Sequence, residues 1–463
     1  MAGLAYGLAF TFTGYLWLLG LDLIAYVALS LIQAVFWALT GAVTARIAHV
    51  RPVWWVAGVA ATWTLVEALR ARFPATGFEW GQLGLSTAET VLRRGAAIVG
   101  TLGLTGVLVA IAASVAVIAL DRRPRSVVPL AVSVAVLSAV VALGSIMWTV
   151  PSDTLQVAVV QANSPCPGSF AEECPDHSER LLDSYVAETA TLASPPGLIV
   201  WGEDALPAGE SLDAVGHDFV ERFGPLPAPL LAGTATPAAP GRFFRQAALF
   251  DRDGTSLGAY AKREPVPFGE YVPFRSVLGG VSDVGRLVPT DIMPGRDTSP
   301  VTVPTAGDPA LLGTVVSWEV TFSRLVHDVA RHANGLATLT TVSSYGRSAA
   351  PAQLLDAAQL RAAEHQKPMV VSATTGRSAI ILPTGETVAT TALLQADSIT
   401  GSMPLRSGLT PFGRTGDLAM IALAGVVLVL VMRRARREGH IAGTMESQAP
   451  PPTTDTEPVD SAV

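Results

Sequence analysis

Long apolar runs, nearly free of charge, decide what this chain can fold into. The clearest are residues 22–45, 53–70, 95–120 and 127–149. A helix needs about 20 apolar residues to span a bilayer's hydrocarbon core. A weaker run at 4–20, with Gly and Thr throughout, and another at 416–432 bring the candidate spans to six. A signal peptide is the competing reading of 4–20, but it shows neither a basic n-region nor a small-residue cleavage site. The whole chain is 15% charged, against about 25% in soluble domains. That deficit sits in the apolar runs, whereas residues 151–412 have the composition of a soluble domain.

Orientation follows from where Lys and Arg collect. "DRRPR" (121–125), "RRARR" (433–437) and the pair Arg46 and Arg51 fall on one side if the spans alternate. That side reads as cytoplasmic, which places both termini inside and 151–412 outside. Arg70, Arg72, Arg93 and Arg94 fall on the other side and weaken the count slightly. The expected organisation is a membrane domain of about five helices (1–150), an extracytoplasmic domain (151–412), a final transmembrane helix (413–433) and a disordered cytoplasmic tail (434–463). The tail is rich in Pro, Thr and acids and has little to bury.

Net charge is −7, without the basic stripe that nucleic-acid binding needs. The two cysteines, Cys166 and Cys174 in "NSPCPGSFAEECPDH", lack the further Cys or His of a metal site. No metal and no cofactor is expected. Outside the cytoplasm the natural reading is a disulfide; the other is a pair of unpaired loop thiols.

Within 151–412, short β-branched runs (155–161, 197–203, 229–234, 311–317, 335–342) alternate with amphipathic stretches (177–193, 319–333, 351–366). The alternation implies an α/β layer fold, whose active groups gather at the carboxyl ends of strands. Glu203, Ser317 and Glu319 stand at such ends. Between them "YAKREPVPFGEYVPF" (260–274) forms a stiff Pro-rich loop carrying Lys262 and Glu270. Taken singly, Lys262 reads as a surface lysine and Glu270 as a loop salt-bridge partner.

"LIVWGEDALP" (198–207), "YAKREPVPFGEYVPF" and "VVSWEV" (315–320) together resemble the nitrilase superfamily, and more narrowly the bacterial apolipoprotein N-acyltransferases. "AAQLRAAEHQKPMVVSATTGRSAIILPTGE" (357–386) is similar to that family's closing strands, including Arg361, Glu364 and Gly376; 3–20 and 76–86 are similar to its third span and an outer loop. The resemblance implies a nitrilase-like αββα sandwich on a polytopic α-helical membrane bundle in the bacterial plasma membrane. It casts Glu203 as general base, Lys262 as oxyanion support, Ser317 at the nucleophile's position, and Glu270, Glu319 and Trp318 in support. Phe268, Tyr271, Phe274, Phe78 and Trp80 are candidates for a lipid entrance; ordinary loop packing explains them equally well.

Family members usually have eight spans, so the resemblance implies that the first two are missing here, through a late start codon or a shorter member; removing two keeps the parity. The implied partners are a phospholipid acyl donor and a diacylated lipoprotein acceptor. There are departures from the pattern. Ser317 replaces the nucleophilic Cys, and Trp318 replaces the Tyr of a Cys-Tyr-Glu triplet. An Asn-Asp is absent from "TTVSSYG" (340–346), and an Asn from "FFRQ" (243–246). A serine hydroxyl needs deprotonation during attack, where a cysteine is already partly thiolate. The alternative is therefore a catalytically silent homologue that binds lipid or lipoprotein, or partners an active paralogue. An amidase acting on small amides would leave the spans no purpose beyond tethering.

Overall fold

In the computed structural model, the described residues are all except 122, 167–173, 175, 274, 276–287, 289 and 448–463; side chains of 439–447 are not described. Phe274 therefore lies outside them. The membrane part contains α1 (Ala2–Gly14), α2 (Leu23–Arg46), α3 (Pro52–Arg70), α4 (Ala96–Leu120) and α5 (Val128–Gly144). Among the described residues, five helical stretches are long and apolar enough to cross a membrane: Leu23–Arg46, Pro52–Arg70, Val91–Leu120, Pro124–Gly144 and Leu418–Glu438.

The first apolar run differs from the expectation of a single span over 4–20. The α-helix ends at Gly14, and a 3₁₀ segment, Leu16–Gly20, follows. Thirteen residues reach about 20 Å at 1.5 Å per residue, short of the roughly 30 Å core. Its glycines bring α1 close against α2: a Cβ on Gly7 would lie 2.6 Å from Ala34 O. Small residues permit such close helix approach in lipid.

Among the described residues the soluble domain has two sheets. The first runs β13-β1-β2-β3-β4-β5, with β6 (Asp291–Ile292) paired to β4. Its other strands are β1 (Val150–Gln161), β2 (Leu198–Val200), β3 (Leu230–Ala239), β4 (Arg242–Phe250), β5 (Ser256–Ala261) and β13 (Asp397–Ser407). The second runs β12-β11-β10-β9-β8-β7. These strands are β7 (Val301–Val303), β8 (Ala310–Val316), β9 (Gly335–Thr340), β10 (Met369–Ala373), β11 (Ala379–Ile381) and β12 (Thr387–Thr390). β1, β2 and β3 are parallel neighbours, as are β8, β9 and β10.

Alternation within the strands explains the layers. Leu155, Val157 and Val159 face a core shared with Leu312, Leu336 and Val370 of the second sheet. Val160, Ile199 and Leu230 instead pack against α6 (His177–Thr189) and α7 (Leu212–Phe223) through Leu181, Tyr185 and Phe219. β1 is thus buried on both faces, which accounts for its almost continuous apolar run. On the far side of the second sheet lie α8 (Ser323–Ala330) and α9 (Ala350–His365), completing the αββα sandwich. After the short α10 (Pro411–Thr415), α11 (Leu418–Ser447) carries the last span. Cys166 and Cys174 are disulfide-bonded.

The two parts meet through polar contacts. Arg70 donates from Nη1 to Phe78 O at 2.8 Å and Trp80 O at 2.9 Å, pinning the loop after α3. Trp80 in turn donates to Gln353 Oε1 in α9 at 2.6 Å. Gly100 kinks α4 at φ 65°, and Glu364 Oε1 accepts both Thr101 N and Thr101 Oγ1 at 2.8 Å. A soluble-domain carboxylate thus caps the helix segment that restarts inside the membrane part.

Candidate active site

β8 ends at Val316, and Ser317 opens a 3₁₀ turn at φ 59°, in the left-handed region. An L-residue held there is costly unless its surroundings impose it. Glu319 does so. Its Oε2 accepts Val316 N at 2.8 Å and Tyr260 Oη at 3.0 Å, and its Oε1 accepts Arg263 N at 2.7 Å and Glu264 N at 2.9 Å. One fully buried carboxylate therefore ties the Ser317 turn to the residues on either side of Lys262. Burial, outweighing these donors, lifts its pKa to about 7. Trp318 is buried against Phe322, and its indole donates to Glu264 O.

Lys262 follows β5 and is buried, its Nζ 2.7 Å from Glu270 Oε1 and 3.1 Å from Glu203 Oε1. Glu203 follows β2, where backbone packing is tight: a Cβ on Gly233 would meet Glu203 Cα at 2.6 Å. Its Oε2 accepts Thr341 N at 2.9 Å, just beyond β9. Since Val316 pairs with Leu339 in the β8–β9 register, Ser317 stands at the same strand ends as the Glu203 carboxylate. The structure brings Glu203, Lys262, Glu270, Ser317 and Glu319 together.

Electrostatics divides the carboxylates. Burial raises Glu203 above its ordinary value, more than the Lys262 and Arg245 charges lower it. For Glu270, burial is outweighed by Lys262 and Arg245, and its carboxyl is held below the usual range. Burial alone would lower Lys262, but the two carboxylates raise it. The arrangement has the parts acyl transfer needs: a proton acceptor, a fixed ammonium and a hydroxyl on a constrained turn.

The sequence reading missed Arg245. Its Nη1 lies 2.8 Å from Glu270 Oε1 and 3.6 Å from Glu203 Oε1, and its Nε 3.3 Å from Asp204 Oδ1. Strand pairing was the available signal: Arg245 O accepts Lys262 N across β4–β5. Of the aromatics, Phe268 is 51% exposed and Tyr271 half-buried, Phe268 N donating to Tyr271 O at 2.8 Å. Trp80, grouped with them in the sequence reading, is instead buried and stacked on Trp17 with centroids 4.5 Å apart. Phe78 is half-buried and packs edge-on to Tyr15.

Two family models match the chain: the apolipoprotein N-acyltransferase N-terminal domain over residues 1–114, and carbon-nitrogen hydrolase over 223–407. Apolipoprotein N-acyltransferase of Methylococcus capsulatus is 30% identical over 392 residues, covering 83% of this chain and 75% of that protein. Its counterpart in Rhodopseudomonas palustris is 29% identical over 403 residues, covering 83% and 74%. A carbon-nitrogen hydrolase from Helicobacter pylori has a TM-score of 0.38 and 15% identity, covering 59% of this chain and 92% of that structure. Sheet topology and matched models define a carbon-nitrogen hydrolase domain carried on membrane helices. The chain belongs to the apolipoprotein N-acyltransferase family.

Proposed function

We propose that this protein transfers an acyl chain from a phospholipid to the N-terminal diacylglyceryl-cysteine of lipoproteins, through an ester on Ser317. Ser317 Oγ attacks the donor's ester carbonyl while Glu203 takes the hydroxyl proton and the Lys262 ammonium faces the oxyanion. Collapse expels the lysophospholipid, which leaves with the proton from Glu203. The acceptor's α-amine then attacks the Ser317 ester, gives a proton to Glu203, and is released as an amide as Ser317 regains its hydrogen. Glu270 holds Lys262, and Glu319 and Trp318 hold the Ser317 turn. Phe268 and Tyr271 line the lipid approach. The observation that carries the reading is the buried Lys262 ammonium held between Glu203 and Glu270, at the strand ends where Ser317 stands.

An extracytoplasmic site is supported by the Cys166–Cys174 disulfide and by the basic clusters bordering the opposite helix ends. A silent homologue that binds lipid or lipoprotein, alone or beside an active paralogue, is the second reading. Ser317 favours it, because a weak nucleophile faces a base whose negative charge two cations hold. Incubating the purified full chain with phospholipid decides between them. Turnover predicts an acyl adduct on Ser317 by peptide mass spectrometry, absent in Ser317→Ala. No adduct on the native chain, with one appearing on Ser317→Cys, leaves the silent reading.

A further inference from the structure

A second site lies away from Ser317. A cavity of about 180 Å³ is lined by Arg94, Gly144, Ser145, Gln366, Thr384 and their neighbours, none of them acidic. It holds several times the roughly 30 Å³ of a water molecule. Nε of Arg94 and Oγ1 of Thr384 are both buried and without a hydrogen-bond partner among the described residues. Arg94 as a whole is half-buried, but a buried Nε left unpaired still costs free energy, and the planar fork of the guanidinium matches phosphate. Neighbouring Arg93 donates to Thr384 O at 3.0 Å, fixing the turn between β11 and β12 and adding positive charge.

Depth in the membrane limits what can enter. Gly144 ends the α5 span, and Leu143, Ile146, Met147 and Trp148 beside it are exposed. Gln366 fixes this end by accepting Trp148 N at 2.7 Å and donating to Ile146 O at 2.7 Å. An apolar rim with a tryptophan beside an arginine cavity is the chemistry of a bilayer's headgroup layer. We propose that this cavity binds the phosphate of a phospholipid headgroup, in the leaflet on the soluble-domain side and separate from the Glu203–Lys262 centre. Arg94 and Thr384 take the phosphate oxygens while the acyl chains lie along the exposed residues of α5.

The test uses the purified full chain, delipidated in detergent and titrated with dioleoyl phosphatidylglycerol, with retained lipid counted by native mass spectrometry. The native chain retains a lipid that Arg94→Gln holds about tenfold more weakly, while Arg94→Lys, which keeps the charge without the fork, falls between the two. Thr384→Val, which leaves the charge in place, weakens retention about fivefold and carries the test if Arg94→Gln does not fold. Equal retention by the native chain and both neutral variants overturns the proposal. Equal retention of dioleoylglycerol, which lacks phosphate, does the same. Inorganic phosphate binding as tightly as the lipid makes this a small-anion site and overturns the lipid assignment.

Discussion

Arg245 and Lys262 are cross-strand neighbours: the Arg245 carbonyl accepts the Lys262 N–H at 2.8 Å, and both side chains converge on Oε1 of Glu270, at 2.8 and 2.7 Å. One carboxylate thus organises two cations, and both also approach Glu203, at 3.6 and 3.1 Å. Lys262 is buried while the Arg245 side chain is 24% exposed, so Arg245 can be altered with less damage to the core.

Removing the Arg245 charge should change the pH dependence of the site. Burial already raises Glu203, and Arg245 opposes that shift. In Arg245→Gln the Glu203 pKa rises further, so a higher pH is needed to ionise the base. The acid limb of acyl-Ser317 formation should move upward by about one pH unit. Arg245→Lys should move it less. Adduct formation followed by mass spectrometry from pH 5 to 9 checks this, and an unmoved limb rejects a link between Arg245 and Glu203.

Glu319 should give the fold its own pH signature. Its pKa is about 7 in the folded chain, raised chiefly by burial, against an ordinary 4.5. Between those values the folded state holds a proton that the unfolded state releases, so stability falls as pH rises through this window. Glu319→Gln should flatten the slope of melting temperature between pH 5 and 7. It should also cost about 1–3 kcal/mol, since an amide nitrogen cannot accept from the main-chain donors. An unchanged slope locates the titration elsewhere.

The strands were legible in the sequence because burial on both faces leaves continuous apolar runs, as in β1 and β8. Glu203, Ser317 and Glu319 were legible because polar residues end those runs. Arg245 was not, because its role depends on the β4–β5 register, which places it opposite Lys262. The break after Gly14 was equally hidden: composition continues through Tyr15 and Trp17, and packing turns the chain there. An aromatic in a loop carries no direction either. Trp80 turns inward onto Trp17, while Phe268 stays exposed.

The kink in α4 should couple the two parts of the molecule. Gly100 has φ 65° and a Cβ there would collide with the Phe412 ring, so Gly100→Ala combines backbone strain with overpacking. It should destabilise the protein by about 2–4 kcal/mol. Glu364→Gln should loosen the same junction, because Glu364 accepts from both the main chain and side chain of Thr101. Faster proteolysis between the last strand and the final span is expected in both variants. Native-like cleavage rates in both count against a mechanical role for the kink.

Ser317→Cys tests whether the nucleophile alone limits turnover. A thiol is a few per cent ionised near neutrality and strongly nucleophilic, whereas the hydroxyl must lose its proton to Glu203 during attack. The thioester that follows is also the better acyl donor to an amine. The turn at Ser317 is imposed by Glu319, which binds Val316 N and leaves the side chain free to change. Ser317→Cys should therefore form the acyl adduct at least about tenfold faster than the native chain, and Ser317→Ala should form none. If Ser317→Cys stays unacylated while folded, the obstacle lies in donor binding. An adduct surviving in Ser317→Ala places the nucleophile on another residue and removes Ser317 from the reaction.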